Sequence, residues 1–331
     1  MPKLSFKRRH LIGASLAVSA WAAGAWKVHA NENFKIQSPE RLRVLDLNWQ
    51  DRRRDRFVPV RLYLPVSASP SSPVPLVVFS HGIGGSRFGY SYLGRAWANE
   101  GFASLHLQHV GSDRQLWLNG SPIQLVERLR EAARESEVVA RVADLRFALD
   151  QALGGELGAF FDNDRIVVAG HSYGANTALL AAGARVERQG RLLDLNEPRV
   201  KAAVVISAPP FYGEPSPSHV LASVQVPSLH ITATDDVIFI PGYFSALTDR
   251  IEIYENVGSA KKLLAVFSGG SHSIFTDRVG TGGWALNPRV KEATRSLTLA
   301  FFKSVLHADN SKLHEWPQRH GSLLADYRAL G

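Results

Sequence analysis

The stretch that most constrains this chain is Gly170-His171-Ser172-Tyr173-Gly174. It follows the apolar run Ile166 to Ala169 and opens the Ala- and Leu-rich segment after Tyr173. Glycines two residues either side of a serine permit a strand-to-helix turn too tight for larger side chains. Such a turn lifts the Ser172 hydroxyl clear of a sheet and sets it at a helix N-terminus, whose dipole favours a developing anion. The five-residue pattern alone arises by chance, and a serine there could simply cap the helix. The strand before it and the helix after it select the nucleophile reading.

The rest of the chain supplies such a sheet. Short, continuous apolar runs occur at Leu76–Phe79, Phe102–Leu107, Ile166–Ala169, Ala202–Ile206, Ser228–Thr232 and Leu263–Phe267. Runs of this kind are strands buried on both faces, as in a parallel sheet. Helical periodicity separates them, over Ile123–Leu153, after Tyr173 and over Val290–Leu306. Near the start, Arg41–Trp49 and Val58–Leu64 alternate apolar and polar residues on either side of Asp51-Arg52-Arg53-Arg54-Asp55-Arg56. That pattern predicts an antiparallel hairpin with a solvated turn. The fold class is therefore α/β, a mostly parallel sheet with an N-terminal hairpin and helices on both faces. No repeat or linker divides residues 31–331, so one domain is expected.

A serine needs a base to take its proton. His272, in Gly269-Gly270-Ser271-His272, follows the last of the apolar strands, and glycines free its loop to reach over Ser172. Of the other histidines, His171 is pinned inside the turn and is expected to pack, while His106 and His109 sit at a strand end near a pocket. A carboxylate must orient the base and stabilise its charged form. Asp235 and Asp236 both follow the Ser228–Thr232 strand; Asp236, nearer Pro241, is preferred and Asp235 is the alternative. The chain order Ser172, Asp236, His272 is the one this turn usually accompanies. The oxyanion requires two backbone N–H donors. Tyr173, next after the nucleophile, supplies one, and Ile83 in Ser80-His81-Gly82-Ile83-Gly84-Gly85 is assigned the second. Those glycines lack the Lys-Ser/Thr ending of a phosphate loop. Tyr90, Tyr92, Trp117, Phe211, Tyr212 and Trp284 are loop aromatics, of which Tyr90 and Trp284 are the candidates for substrate contact.

Composition removes other classes. The 331 residues include no cysteine, which excludes disulfides, a thiolate nucleophile and cysteine-bound zinc. No His/Asp cluster has metal-ligand spacing, and no cofactor is expected. The formal charge is +8, of which Lys3, Lys7, Arg8, Arg9 and Lys27 supply +5, leaving +3 for the remainder. Nucleic-acid binding is not indicated. Residues 1–30, with a basic head, the apolar run Leu11–Trp26 and a Val28-His29-Ala30 end, read as a secretory signal for export to the periplasm or beyond. Arg8-Arg9 before Leu11-Ile12 fits a twin-arginine signal and also an ordinary one. An uncleaved anchor is the alternative, although the run is shorter than the ~20 residues a membrane span needs.

Pro75 to Ser91 with Gly101-Phe102 resembles the platelet-activating-factor acetylhydrolase group of the α/β-hydrolase superfamily, close to the dienelactone hydrolases. Gly170–Gly174, Gly270-Ser271-His272 and Val58–Pro65 match the same group. The resemblance implies an α/β-hydrolase fold and carboxylic-ester hydrolysis through an acyl-enzyme, with no cofactor. Two features depart from it. Animal acetylhydrolases carry the triad acid after the strand that follows the nucleophile helix, where this chain has Ser207-Ala208-Pro209. Dienelactone hydrolases use cysteine. A short-chain serine esterase is the leading expectation. A lipase, phospholipid acetylhydrolase or polyester hydrolase on the same residues is the near alternative, and an inactive binding module of this fold the distant one.

Overall fold

The structure, a computed structural model, describes residues 41–329 apart from 119, 120, 122, 123, 189, 194, 215, 241 and 242. The expected signal at residues 1–30 lies outside the described residues.

A nine-stranded sheet organises the chain. Its strands are β1 Leu42–Asp51, β2 Arg56–Pro65, β3 Val74–Ser80, β4 Ala103–Leu107, β5 Phe161–His171, β6 Val200–Ile206, β7 Ser228–Ala233, β8 Lys262–Phe267 and β9 Leu324–Arg328. They lie in the order β1-β2-β4-β3-β5-β6-β7-β8-β9. Strands β3 to β8 are mutually parallel. β1 and β2 form the expected antiparallel hairpin, with Leu42 opposite Pro65 and Asp51 opposite Arg56.

Alternation of side chains explains the continuous apolar runs. Leu76, Val78, Ile166 and Val168 point into one core, while Val77, Phe79, Val167 and Ala169 point into the other. Helices α1 Ser91–Asn99, α2 Leu125–Ala132, α3 Glu135–Gly154, α4 Tyr173–Ala181, α5 Leu247–Asn256, α6 Leu286–His307 and α7 Ser311–His320 flank the sheet. Val142, Leu145 and Leu149 of α3 join Ala175 and Leu179 of α4 in the first core. Leu93 and Trp97 of α1 join Leu297 and Phe301 of α6 in the second. Both faces are therefore sealed, and the carboxyl edge of the parallel strands is left for loops that can carry chemistry.

Two expectations are corrected. The helix expected over Ile123–Leu153 is two helices, because Arg134 takes an extended conformation, ψ 153°. The apolar spacing already carried the break: Ala132 to Val138 is a step of six where helical packing needs three or four. Beyond α6, Leu313 and Trp316 of α7 are buried against the second core, and β9 pairs antiparallel with β8. The turn between β1 and β2 is only half solvated. Arg52 and Arg53 are exposed, but Arg54 and Arg56 reach Asp144 of α3 at 2.9 and 2.8 Å.

Candidate active site

Four loops at the carboxyl edge converge. Ser172 sits between β5 and α4 with φ 56° and ψ −127°, a strained conformation for a residue with a side chain. Its amide is fixed on the Ile206 carbonyl at 2.8 Å. The flanking glycines are steric requirements. A Cβ on Gly170 would lie 2.1 Å from the Gly174 carbonyl oxygen, and one on Gly174 would lie 1.9 Å from the Ser80 carbonyl oxygen. The sharp turn is thereby packed directly against the end of β3.

His272 begins a short 3-10 turn after β8. Its Nδ1 lies 2.7 Å from Asp236 Oδ1. Asp236 follows β7, is fully buried, and also accepts hydrogen bonds from Thr232 Oγ1 at 2.7 Å and Arg250 Nη2 at 3.3 Å. Burial alone would raise the Asp236 pKa. The hydrogen bond from His272, the charge of that ring and the Arg250 guanidinium outweigh burial and hold it well below the usual carboxylate range. Asp235, the alternative, is exposed, and among the described residues its side chain accepts only from Thr234 Oγ1 at 3.1 Å, so the geometry pairs His272 with Asp236.

His171 packs, as its place in the turn requires. Its ring lies 4.6 Å from that of His272, and its two nitrogens meet the His272 carbonyl at 2.9 Å and the Tyr90 hydroxyl at 2.8 Å. Burial pushes its pKa down to about 3, so the ring is neutral and must donate through one nitrogen and accept through the other.

Ile83 lies in the loop after β3, and among the described residues its N–H has no backbone acceptor. Tyr173 is the first residue of α4, where an amide has no acceptor within the helix. Gly82 runs close beside Ser172: a Cβ there would lie 3.1 Å from Ser172 Cβ. Both candidate oxyanion donors thus flank Ser172.

Beside Ser172 opens a cavity of about 280 Å³. Its wall is mostly apolar, from Ile83, Leu129, Val138, Leu180, Phe211 and Ile238, and Tyr173 and Asn176 also reach it. The two aromatic residues expected to touch substrate are not in that wall. Tyr90 is buried behind the site on His171, because it faces the second core rather than the cavity. Trp284 is 77% exposed and lies over the Gly280 turn. Phe211 and Tyr212 do line the cavity. Trp117 instead caps the candidate oxyanion loop, its Nε1 donating to the Gly84 carbonyl at 2.8 Å. His106 in β4 and His109 just after it are buried and do not line this cavity.

One set of buried charged side chains carries no apolar signal in the sequence. Glu137, Arg141 and Asp144 of α3 are buried behind the loop that carries Ile83. Asp144 bonds His109 Nδ1 at 3.1 Å, and His109 Nε2 lies 3.0 Å from Ser80 Oγ. Their i, i+4, i+7 spacing was the available signal, since it marks one helix face, but a charged stripe ordinarily faces water. Among the described residues no group of three His, Cys, Asp or Glu side chains could hold a metal ion. No helix among them is long and apolar enough to cross a membrane.

The sheet order and the serine turn define the α/β-hydrolase class. Comparison with known proteins agrees. Residues 58–115 match the family model for platelet-activating factor acetylhydrolase, isoform II, and residues 127–244 match that for lipase (class 3). No curated protein sequence matches the chain. Among solved structures, a ferulic acid esterase from Streptomyces cinnamoneus superposes with a TM-score of 0.63 at 21% identity, over 87% of this chain and 97% of that one. The chain has an α/β-hydrolase fold and, over residues 58–115, resembles the platelet-activating-factor acetylhydrolase group.

Proposed function

We propose that the protein is an exported serine esterase that cleaves short-chain acyl esters through an acyl-enzyme. The observation that carries this reading is the 2.7 Å His272–Asp236 pair beside a serine held on a strained turn, opening onto an apolar cavity. Ser172 Oγ attacks the ester carbonyl carbon while His272 Nε2 takes its proton. The carbonyl electrons move to oxygen, where the Ile83 and Tyr173 amides receive them. Collapse expels the alcohol, which takes the proton from His272. Water repeats the sequence and releases the acid. Asp236 keeps the His272 proton on Nδ1 and offsets the positive charge of the ring.

The cavity supports the acyl assignment. About 150 Å³ of apolar space holds one benzene, so about 280 Å³ has room for a short or medium acyl group. The basic and apolar leader supports export. One observation favours a second reading, hydrolysis at a lipid or polymer surface. In the hairpin Ile238–Ile240/Tyr243–Ser245, Ile238 and Tyr243 line the cavity, while the cross-strand pair Phe239 and Phe244 is 81% and 60% exposed.

Hydrolysis of p-nitrophenyl esters from acetate to palmitate, by the wild type and Ser172→Ala, tests both. The expected result is turnover that falls with chain length and is abolished in the variant. A maximum at long chains would replace the first reading with the second. A folded wild type no faster than Ser172→Ala on any ester would remove both.

A further inference from the structure

Behind the candidate oxyanion hole lies a cation that the proposed mechanism does not use. Arg141 is 0% exposed, in the middle of α3. Its three hydrogen-bond acceptors are neutral oxygens. Nε donates to Thr177 Oγ1 at 2.9 Å, Nη1 to Ser112 Oγ at 2.8 Å, and Nη2 to the His81 carbonyl. Its guanidinium also lies 4.5 Å from the centre of the Tyr173 ring. The nearest countercharge in this chain of contacts is one hydroxyl away, because Ser112 Oγ donates to Glu137 at 2.7 Å. A buried arginine is costly unless its donors are all used and its place is fixed.

Each contact leads to a segment that carries a candidate oxyanion donor. The His81 carbonyl begins the loop that carries Ile83. The Gly84 amide, just past Ile83, donates to the Ser112 carbonyl at 2.8 Å, so Ser112 ties the far side of that loop to the same guanidinium. Thr177 Oγ1 also bonds the Tyr173 carbonyl at 3.1 Å, which fixes the first turn of α4. One planar, multidentate group therefore sets two otherwise separate segments relative to each other, a task a point-charge ammonium performs poorly.

We propose that Arg141 is the positioning residue of the oxyanion hole. It holds the Ile83 and Tyr173 amides where the tetrahedral oxygen will form, and it places a positive charge, without a directly bonded carboxylate, behind that oxygen. Preset donors of this kind act on the transition state rather than on substrate binding. The inference rests on the esterase reading of Ser172.

Arg141→Lys and Arg141→Met test it on p-nitrophenyl acetate, alongside inhibition by an aryl trifluoromethyl ketone. Ser172 Oγ adds to the carbonyl carbon of that ketone, its proton passes to His272, and the oxyanion occupies the hole. The expected kcat losses are about tenfold for Lys and about 10²-fold for Met, the scale of one lost oxyanion donor, with KM changed less than about threefold. The ketone should weaken in step with kcat. Val142→Ala, a buried core truncation one residue on, should lower the urea midpoint and leave kcat and ketone affinity unchanged. If neither Arg141 variant folds, Ser112→Ala is read by the same criteria, with about a tenfold kcat loss expected. The proposal is overturned if the folded variants keep wild-type kcat and ketone affinity, or if Val142→Ala loses both equally. An inactive wild type would instead defeat the esterase reading, which separates the two failures.

Discussion

Replacing Asp236 by asparagine removes one charge and almost no volume, so its effect can be worked from a single distance. His272 Nδ1 and Asp236 Oδ1 are 2.7 Å apart. When the ring takes the Ser172 proton, the pair becomes an imidazolium against a carboxylate. At that separation, with an effective dielectric near 20, the attraction is about 6 kcal/mol. That amounts to roughly four decades of rate at 1.36 kcal/mol per decade. A second effect acts in the same direction. Thr232 Oγ1, Arg250 Nη2 and the ring all donate to this carboxylate, and an amide has one oxygen for them instead of two. If the amide NH₂ turns to His272, the ring proton moves to Nε2, which then cannot accept from Ser172. Turnover of p-nitrophenyl acetate by Asp236→Asn should therefore fall about 10³- to 10⁴-fold in kcat with KM little changed. Asp235→Asn, exposed and bonded only to Thr234, should stay within about twofold. The reasoning is refuted if folded Asp236→Asn keeps more than about a tenth of wild-type kcat, or if Asp235→Asn falls as far.

Further predictions concern stability and the supporting residues. Burial pushes the pKa values of His106, His109, His171 and His230 down to about 3. Below the unfolded value near 6.5 the unfolded chain binds protons that the folded chain refuses, so stability falls on acidification, by about 1.4 kcal/mol per pH unit for each histidine. The urea midpoint should hold steady above pH 7 and drop steeply from pH 6 to 5, and a flat profile to pH 5 would contradict it. Gly174→Ala places a Cβ 1.9 Å from the Ser80 carbonyl and should abolish activity or folding, whereas Gly154→Ala meets nothing within 4 Å and should raise stability by about 0.5–1 kcal/mol in urea titrations. Tyr90→Phe should lower kcat less than tenfold and leave KM unchanged, since its hydroxyl supports His171 rather than substrate. Trp284→Ala should change neither constant on short esters, and a tenfold rise in KM for either variant would return that residue to the cavity wall.

The parts of the fold that were legible in the sequence are those specified locally. Six parallel strands announced themselves because burial on both faces requires unbroken apolar runs, and each such run became one of β3 to β8. Ser172 was legible because Gly170 and Gly174 have no alternative where backbone oxygens approach so closely. The choice between Asp235 and Asp236 turned on which side chain points inward at the end of β7, a matter of one residue of pleat that composition does not carry. That Tyr90 and Trp284 lie outside the cavity wall is not legible for a related reason: an aromatic residue in a loop has the same pattern whether it faces a cavity, a core or solvent. The C-terminal strand β9 is short and half polar, as an edge strand can be, and offered no continuous run.

The buried charges show a different limit. Arg54, Arg56 and Arg141 stand against Asp51, Glu137 and Asp144 in one connected cluster. Each half looks like a solvated surface when taken alone: a turn rich in arginine, and a charged stripe on a helix. Set together, the two halves are countercharges, and that is what allows either to be buried. A helix face carrying acids at i and i+7, with arginines some eighty residues away in a strand-connecting turn, has more to gain from pairing than from water only if the fold brings them together. The β1–β2 hairpin does so by laying its turn across α3, with Arg54 and Arg56 both on Asp144. The cluster then continues through His109 and Ser112 to Ser80 and Gly84, on either side of the loop that carries Ile83. The hairpin that decorates the edge of the sheet thereby becomes part of what holds the candidate oxyanion loop in place.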